Sequence, residues 1–196
     1  MLFLRLNDTN PLRAAVEGTG ERPVDHLVVS ALERRQPLPA LAPRDVVVTQ
    51  HDRLELAEEI EAVEAITSTI RQSNLHADPR LPREQTRALY AAWARNDVTG
   101  RAVRTFLARS ERRVVGYITV IETHEGLALD LVAVQDDQQG RGVGSAMLAS
   151  TLAWATETTM VTVGTQQTNR ALALYGRFGF VPREIHVMYH LWLTET

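Results

Sequence analysis

Three glycines at alternate positions, in Gln139-Gly140-Arg141-Gly142-Val143-Gly144, restrict this chain more than any other feature. They follow an apolar run ending at Val134 and a short polar loop, and they open a helix expected over about Gly142–Ala155. Val143, Met147, Leu148 and Leu152 fall at helical spacing and are its expected buried stripe. A strand, a glycine turn and a helix in this order make an anion site. The first N–H groups of a helix have no partner within it, and the helix dipole adds partial positive charge. Glycines let the backbone approach a phosphate with no Cβ in the way. Arg141 can add a charge-assisted contact. A nucleoside-triphosphate loop would need Gly-Lys-Ser/Thr, and no lysine stands here. A dinucleotide fingerprint would need Gly-x-Gly-x-x-Gly in a parallel βαβ unit, which is a different spacing. A plain tight turn between strand and helix is the remaining alternative.

The elements around this turn predict a mixed α/β fold. Val103–Arg109, Val114–Glu122 and Leu127–Val134 read as an antiparallel meander with turns at Ser110–Arg113 and His124-Glu125-Gly126. After the helix come a strand (Met160–Val163), a helix (Asn169–Phe178) and a closing strand (Ile185–Trp192). Upstream, Val46–Val48 reads as a strand. Leu56, Ile60, Val63 and Ile66 mark a helix whose other face carries Glu55, Glu58, Glu59, Glu61 and Glu64. Ser73–Pro82 has two prolines and reads as a loop. A helix is expected over Arg83–Asn96, with Leu89, Ala92 and Trp93 on one side. Residues 1–44 read as a small α/β subdomain with strands at Leu2–Leu6 and Leu27–Leu32 and a short helix after Pro11. Pro37, Pro39 and Pro43 mark its boundary with residues 45–196.

Composition narrows the function. A net charge of -3 over 196 residues gives no broad basic footprint for nucleic acid. With no cysteine, disulfides and thiolate chemistry are excluded. The six histidines form no spaced ligand cluster, so no metal is expected. No apolar run reaches the ~18 residues of a membrane span. The start MLFLRLNDTN is too short an apolar burst for a leader. A cytoplasmic protein is the default expectation.

The Gln-x-x-Gly-x-Gly pattern after an LVAV strand resembles the pyrophosphate-binding motif of GNAT acetyltransferases. Asn169–Val181, NRALALYGRFGFV, resembles that family's second signature, an alanine-rich helix with a tyrosine before a Gly-Phe strand start. The resemblance covers about residues 45–192. It implies a GNAT fold, a mostly antiparallel sheet flanked by helices, with acetyl-CoA as co-substrate. Two strands, here Leu127–Val134 and Met160–Val163, would splay around the pantetheine arm. Backbone groups of Val132 and Val134, with Ala133 between them, would bind that arm. Gln139, Gly140, Arg141, Gly142, Val143, Gly144 and Ser145 would hold the pyrophosphate. Tyr175 would be the general acid. The family often has an asparagine seven positions before this tyrosine, whereas here that position is Thr168 and Asn169 comes next. Either residue can cap the helix, and Asn169 is carried forward as a cofactor contact.

The chemistry suits a phenol at 175. An amine attacks the thioester, and the leaving thiolate has a conjugate acid of pKa about 8.5, so a phenol of pKa about 10 can serve it within hydrogen-bond reach. A neutral amine also requires a base or water relay. Glu122, His124 and Asp130 are candidates, with no choice among them. Within the family the chain is most similar to TDP-fucosamine (TDP-4-amino-sugar) acetyltransferases, at Thr165-Gln166, Tyr90–Arg101 and Ser73–Pro82. That likeness places Asn74, His76, Arg80 and Tyr90 near a sugar nucleotide. For Arg80 and Arg83, ordinary solvation is the competing reading. A protein N-terminus or lysine as acceptor, and a non-catalytic acyl-CoA-binding module, are the alternatives. The final strand (Val187–Leu193) could pair across a homodimer or be an ordinary sheet strand.

Overall fold

The computed structural model describes residues 1–33, 45–156 and 160–192. The chain runs β1 (Leu2–Asn7), α1 (Leu12–Gly18), β2 (Asp25–Leu32), β3 (Val47–His51), α2 (Ala57–Thr67), α3 (Asn74–Ala77), α4 (Arg83–Asn96), β4 (Arg104–Ser110), β5 (Arg113–Thr123), β6 (Gly126–Val134), α5 (Val143–Trp154), β7 (Val161–Gln166), α6 (Ala171–Arg177) and β8 (Val181–Leu191). The strands form one sheet in the order β1-β8-β2-β7-β6-β5-β4-β3. Its pairs are antiparallel except β6 with β7. This is the mixed, mostly antiparallel architecture the sequence implies.

Two apolar layers cover the sheet. On one face α5 and α6 bury Val143, Met147, Leu148, Leu152 and Tyr175 against Phe106, Ile118, Leu129 and Val163. On the other, α2 and α4 bury Val63, Ile66, Tyr90 and Ala94 against Leu107, Tyr117, Leu131 and Ala133. Glu58 and Glu59 lie in the first turn of α2, where they suit the helix dipole. Gly116 lets α5 sit close on the sheet: a Cβ there would come within 3.0 Å of both the Ala133 carbonyl oxygen and Met147 Cε.

The N-terminal segment shares this sheet. β2 lies between β7 and β8, and β1 forms the outer edge beyond β8. The expected boundary and its prolines fall outside the described residues. Both edges of β8 are taken, by β1 and β2. That strand therefore lies inside the sheet, paired by β1 over His186–Leu191 and by β2 over Val181–Met188.

Several local expectations are corrected. Ser73–Pro82 contains the short helix α3, because Ser73 caps it by accepting from the His76 N–H. Leu56 caps α2 and is 56% exposed, outside the buried stripe of Ile60, Val63 and Ile66. On α4 the buried residues are Thr86, Tyr90 and Ala94, whereas Leu89 and Ala92 are exposed. Helix α6 begins at Ala171, two residues later than expected, because the Asn169 carboxamide accepts from the Ala171 N–H. Strand β8 begins four residues earlier than expected. Its exposed start, Val181-Pro182-Arg183-Glu184, carries no apolar alternation and is recruited by pairing with β2 across a bulge at Val29/Ser30.

Candidate functional site

Strands β6 and β7 are in register over three pairs, Leu127 with Val161, Ala128 with Thr162 and Leu129 with Val163. Beyond them β6 continues to Val134 and β7 to Gln166 without pairing. On its other edge β6 stays bound to β5. The Gln135 N–H donates to the Val115 carbonyl and the Leu131 N–H to Thr119 Oγ1. Backbone groups alternate in direction along a strand. Residues 131, 133 and 135 therefore face β5, and Val132 and Val134 face the gap. Of the three expected pantetheine residues, Ala133 is thus directed to β5. The Val134 carbonyl accepts from Gln139 Nε2 at 2.9 Å.

The glycine turn sits at the wide end of this gap. Gly140 (φ 77°) and Gly142 (φ 86°) both adopt the left-handed conformation, which explains the residue choice. Nothing lies within 4 Å of a Cβ built on Gly140. Gly144 has a different role: Leu174 of α6 lies 3.3 Å from where its Cβ would be, so that glycine serves helix packing. Ser145 and Val143 are buried, and Arg141 is exposed. Arg170, absent from the sequence expectations, donates to Gln139 Oε1 and brings a second guanidinium to the turn. Its signal was a basic residue immediately before a helix start.

Tyr175 lies on the α5–α6 face, 4% exposed, with its ring 5.8 Å from that of Phe180. Its hydroxyl makes no hydrogen bond among the described residues. Burial pushes the phenol above its ordinary pKa, so it stays protonated.

The three base candidates separate clearly. Glu122 and His124 are exposed and lie at the β5–β6 hairpin, and the His124 side chain is 91% exposed. Asp130 stands where β6 and β7 part. It is the extra residue of a bulge, because Thr119 pairs with Leu131 and Val120 with Leu129. Trp93 Nε1 donates to Asp130 Oδ2 at 2.7 Å, and the Arg101 guanidinium bonds the same oxygen. Arg101 also bonds Asp97, which is fully buried. Asp97 accepts from Thr119 Oγ1 at 2.7 Å. The Asp97 carboxyl is raised to about 6: burial lifts it most, hydrogen bonds from Thr119 and Arg101 pull it down, and the neighbouring Asp130 carboxylate lifts it by charge and by a shared hydrogen bond. Residues 97–101 form a π turn in which Gly100 adopts φ 146°. Asp97 and Arg101 escaped the sequence reading because a polar pair after a helix resembles a solvated helix end.

Next to Asp130 three rings lie face to face. Trp93 and Tyr90 have centroids 5.7 Å apart, and Tyr90 and His76 5.6 Å. Ser73 Oγ holds His76 Nδ1 at 2.8 Å, and burial lowers the imidazole pKa. Asn74 Nδ2 is 3.3 Å from His190 Nε2. Arg80 is already committed: it makes two 3.0 Å bonds to Asp78, donates to the His190 carbonyl and lies over the Trp192 ring. Arg83 is exposed at the start of α4. Among the described residues there is no group of three or more potential metal ligands and no helix long and apolar enough to cross a membrane.

Residues 101–182 match the acetyltransferase (GNAT) domain. The likeness to the acetyltransferase (GNAT) domain thus falls on the stretch that holds β6, the glycine turn and Tyr175. It is 34% identical over 125 residues to the spore coat polysaccharide biosynthesis protein SpsD of Bacillus subtilis, spanning 62% of this chain and 43% of that protein. The fold is shared with a GCN5-related N-acetyltransferase from Sphaerobacter thermophilus (TM-score 0.65, 19% identity, 96% of this chain and 59% of that one). It is also shared with one from Kribbella flavida (TM-score 0.62, 19% identity, 96% and 67%). The chain thus spans less than half the length of SpsD.

Proposed function

We propose that this chain is an acetyl-CoA-dependent N-acetyltransferase acting on a primary amine of a small molecule, a nucleotide-linked 4-amino-sugar. The observation that carries the reading is the gap between β6 and β7, which is continuous with the left-handed glycine turn at the start of α5. The edge at Val132, and the N–H of Val134, whose carbonyl is taken by Gln139, suit the amides of a pantetheine arm. The turn at Gln139–Ser145, with Arg141 and Arg170 beside it, suits a pyrophosphate. Asn169 is occupied in capping α6, so its carboxamide is the least available of the expected contacts.

In this reading the amine nitrogen attacks the thioester carbonyl, the C–S bond breaks, and the departing sulfur accepts a hydrogen bond and proton from Tyr175. Sealing the phenol in an apolar layer keeps it in the donating form. The sugar-nucleotide assignment draws on the likeness of Tyr90–Arg101 and Thr165-Gln166 to TDP-fucosamine acetyltransferases and on the 34% identity to a polysaccharide biosynthesis protein. The ring stack of His76, Tyr90 and Trp93 ends beside Asp130, with Tyr90 buried in the middle and the outer rings of His76 and Trp93 partly exposed toward an acceptor. With Arg80 bound to Asp78, the diphosphate of such an acceptor would rely on other cations.

The test is thiol release from acetyl-CoA with TDP-fucosamine, free amino sugars, aminoglycosides, polyamines and peptide N-termini. Turnover confined to the nucleotide sugar supports the reading, and turnover confined to peptides replaces it. Tyr175→Phe is expected to lower kcat about 100-fold with acetyl-CoA affinity unchanged. An unchanged kcat would remove the general-acid role.

A further inference from the structure

We propose that Asp130 receives the proton of the acceptor ammonium and that the buried Asp97, acting through Arg101 and Thr119, is the residue that positions it. This rests on the acetyl-transfer reading above. Within that reading it assigns a base and its support, which neither the motifs nor the comparisons supply.

The argument begins with the bulge. An extra residue in β6 at Asp130 would leave the Leu131 N–H without its ladder partner. Thr119 Oγ1 accepts it at 3.1 Å and donates its own proton to Asp97 Oδ2 at 2.7 Å. Asp97 therefore orients the hydroxyl that sustains the bulge. Its other oxygen holds the Arg101 guanidinium, which reaches across to Asp130 Oδ2. Trp93 Nε1 fixes the same Oδ2. Both donors hold Oδ2, and none of the donors Trp93, Arg101 and Thr119 bonds Asp130 Oδ1. The Asp130 side chain keeps 14% of its exposure, whereas that of Asp97 keeps none. One carboxylate oxygen thus remains open where β6 and β7 part. Tyr175 belongs to the opposite face of the sheet. The two groups would reach the thioester from the two sides of the gap.

The step balances as follows. An acceptor ammonium brings three protons on nitrogen. One passes to Asp130 Oδ1 and frees the lone pair for attack. The N–C bond forms, the C–S bond breaks, and the electron pair leaves on sulfur. Tyr175 gives its proton to sulfur and is restored by a second proton from nitrogen. The third stays on the amide. The Asp130 proton is returned to solvent, one per turnover.

The charged and titratable groups facing Asp97 are Arg101 on its own turn, Asp130 from β6 and Tyr117 from β5, the last kept protonated by burial. Of these groups, Asp97 is the one raised to about 6. Below that value it is neutral and its hold on Arg101 weakens, so activity falls on the acid side.

The experiment combines kcat/KM against pH, with TDP-fucosamine as acceptor, and the Trp93 indole N–H resonance against pH without substrate. Wild type is expected to lose activity below about pH 6, and the indole signal to shift over the same range. Asp130→Asn should lower kcat at least 100-fold with acetyl-CoA affinity unchanged. Asp97→Asn should remove both the acid limb near 6 and the indole shift, and Asp97→Glu should restore part of each. An Asp97→Asn variant that loses rate equally at all pH values has a merely structural residue 97, and the positioning role is overturned. An indole signal in wild type that ignores pH between 5 and 7 overturns it without any variant. No thiol release with any amine overturns the functional reading itself, a result distinct from either.

Discussion

Two aspartate–arginine clusters sit in this molecule and have been put to opposite uses. In the first, Asp78 is 2% exposed and all its bonding capacity is met, by Arg80, His190 Nδ1 at 2.9 Å and Trp192 Nε1 at 3.2 Å. Donation from Arg80 holds its carboxyl well below the usual range, against the opposing effect of burial. In the second, one guanidinium serves two carboxylates, Asp97 and Asp130. One of these is raised to about 6, and the other keeps an open oxygen. The ratio of donors to carboxylates makes the difference. Surplus donors make a clamp, here fixing the end of β8 to the segment after α3. A deficit leaves basic capacity, and it is found where the sheet opens.

The comparison can be broken by matched substitutions. Asp130→Asn should cost the most function, at least 100-fold in kcat or about 3 kcal/mol of transition-state stabilisation, with little loss of stability. Asp78→Asn should do the reverse. It leaves a buried histidine and a guanidinium short of their acceptor, and about 3 kcal/mol of unfolding free energy should be lost in a denaturant titration while kcat stays near wild type. If the two variants behaved alike, the distinction would fail.

Their pH dependences should also run in opposite directions. Asp78 has a depressed folded-state pKa, so its stabilisation is present above the ordinary carboxylate value and is lost as pH falls below it. Asp97 has a raised one, so its contribution is present below the ordinary value and is lost as pH rises through about 6. Asp97→Asn should therefore gain on wild type between pH 4 and 7, by about 2 kcal/mol. Thermal unfolding at a series of pH values checks both signs.

The smallest expected effect is at the glycine turn. Gly140→Ala meets no atom of the protein but must adopt φ 77°, at a cost of about 1 kcal/mol. A loss of acetyl-CoA affinity beyond that would show how closely a phosphate approaches the turn. Unchanged affinity would mean that the glycine serves the turn alone.

The proposed cofactor side was far more legible than the proposed acceptor side. Gly140, Gly142 and the stripe Val143, Met147, Leu148 and Leu152 form a local code, since a strand, a turn and a helix are contiguous in sequence. Val132 and Val134 were named by the resemblance to the GNAT motif and not by any periodicity of their own. The acceptor side is assembled from distant pieces: Trp93 from α4, Arg101 from a π turn, Thr119 from β5, Asp130 from β6 and His76 from α3. None has a local pattern of its own. Arg80 illustrates the problem. An arginine in a loop was expected beside a phosphate, and its engagement with the His190 carbonyl and the Trp192 ring comes from residues more than 100 positions away. Placement of β2 between β7 and β8 is equally non-local, because it follows from sheet pairing and not from any motif.

Everything above turns on acetyl transfer to an amine from a thioester held between β6 and β7. Its most direct measurement is thiol release from acetyl-CoA with TDP-fucosamine, followed by mass spectrometry of the sugar nucleotide. One N-acetylated product is expected per thiol released, abolished to background by Asp130→Asn. Acetyl-CoA that neither binds nor loses its acetyl group to any amine of the panel would contradict it.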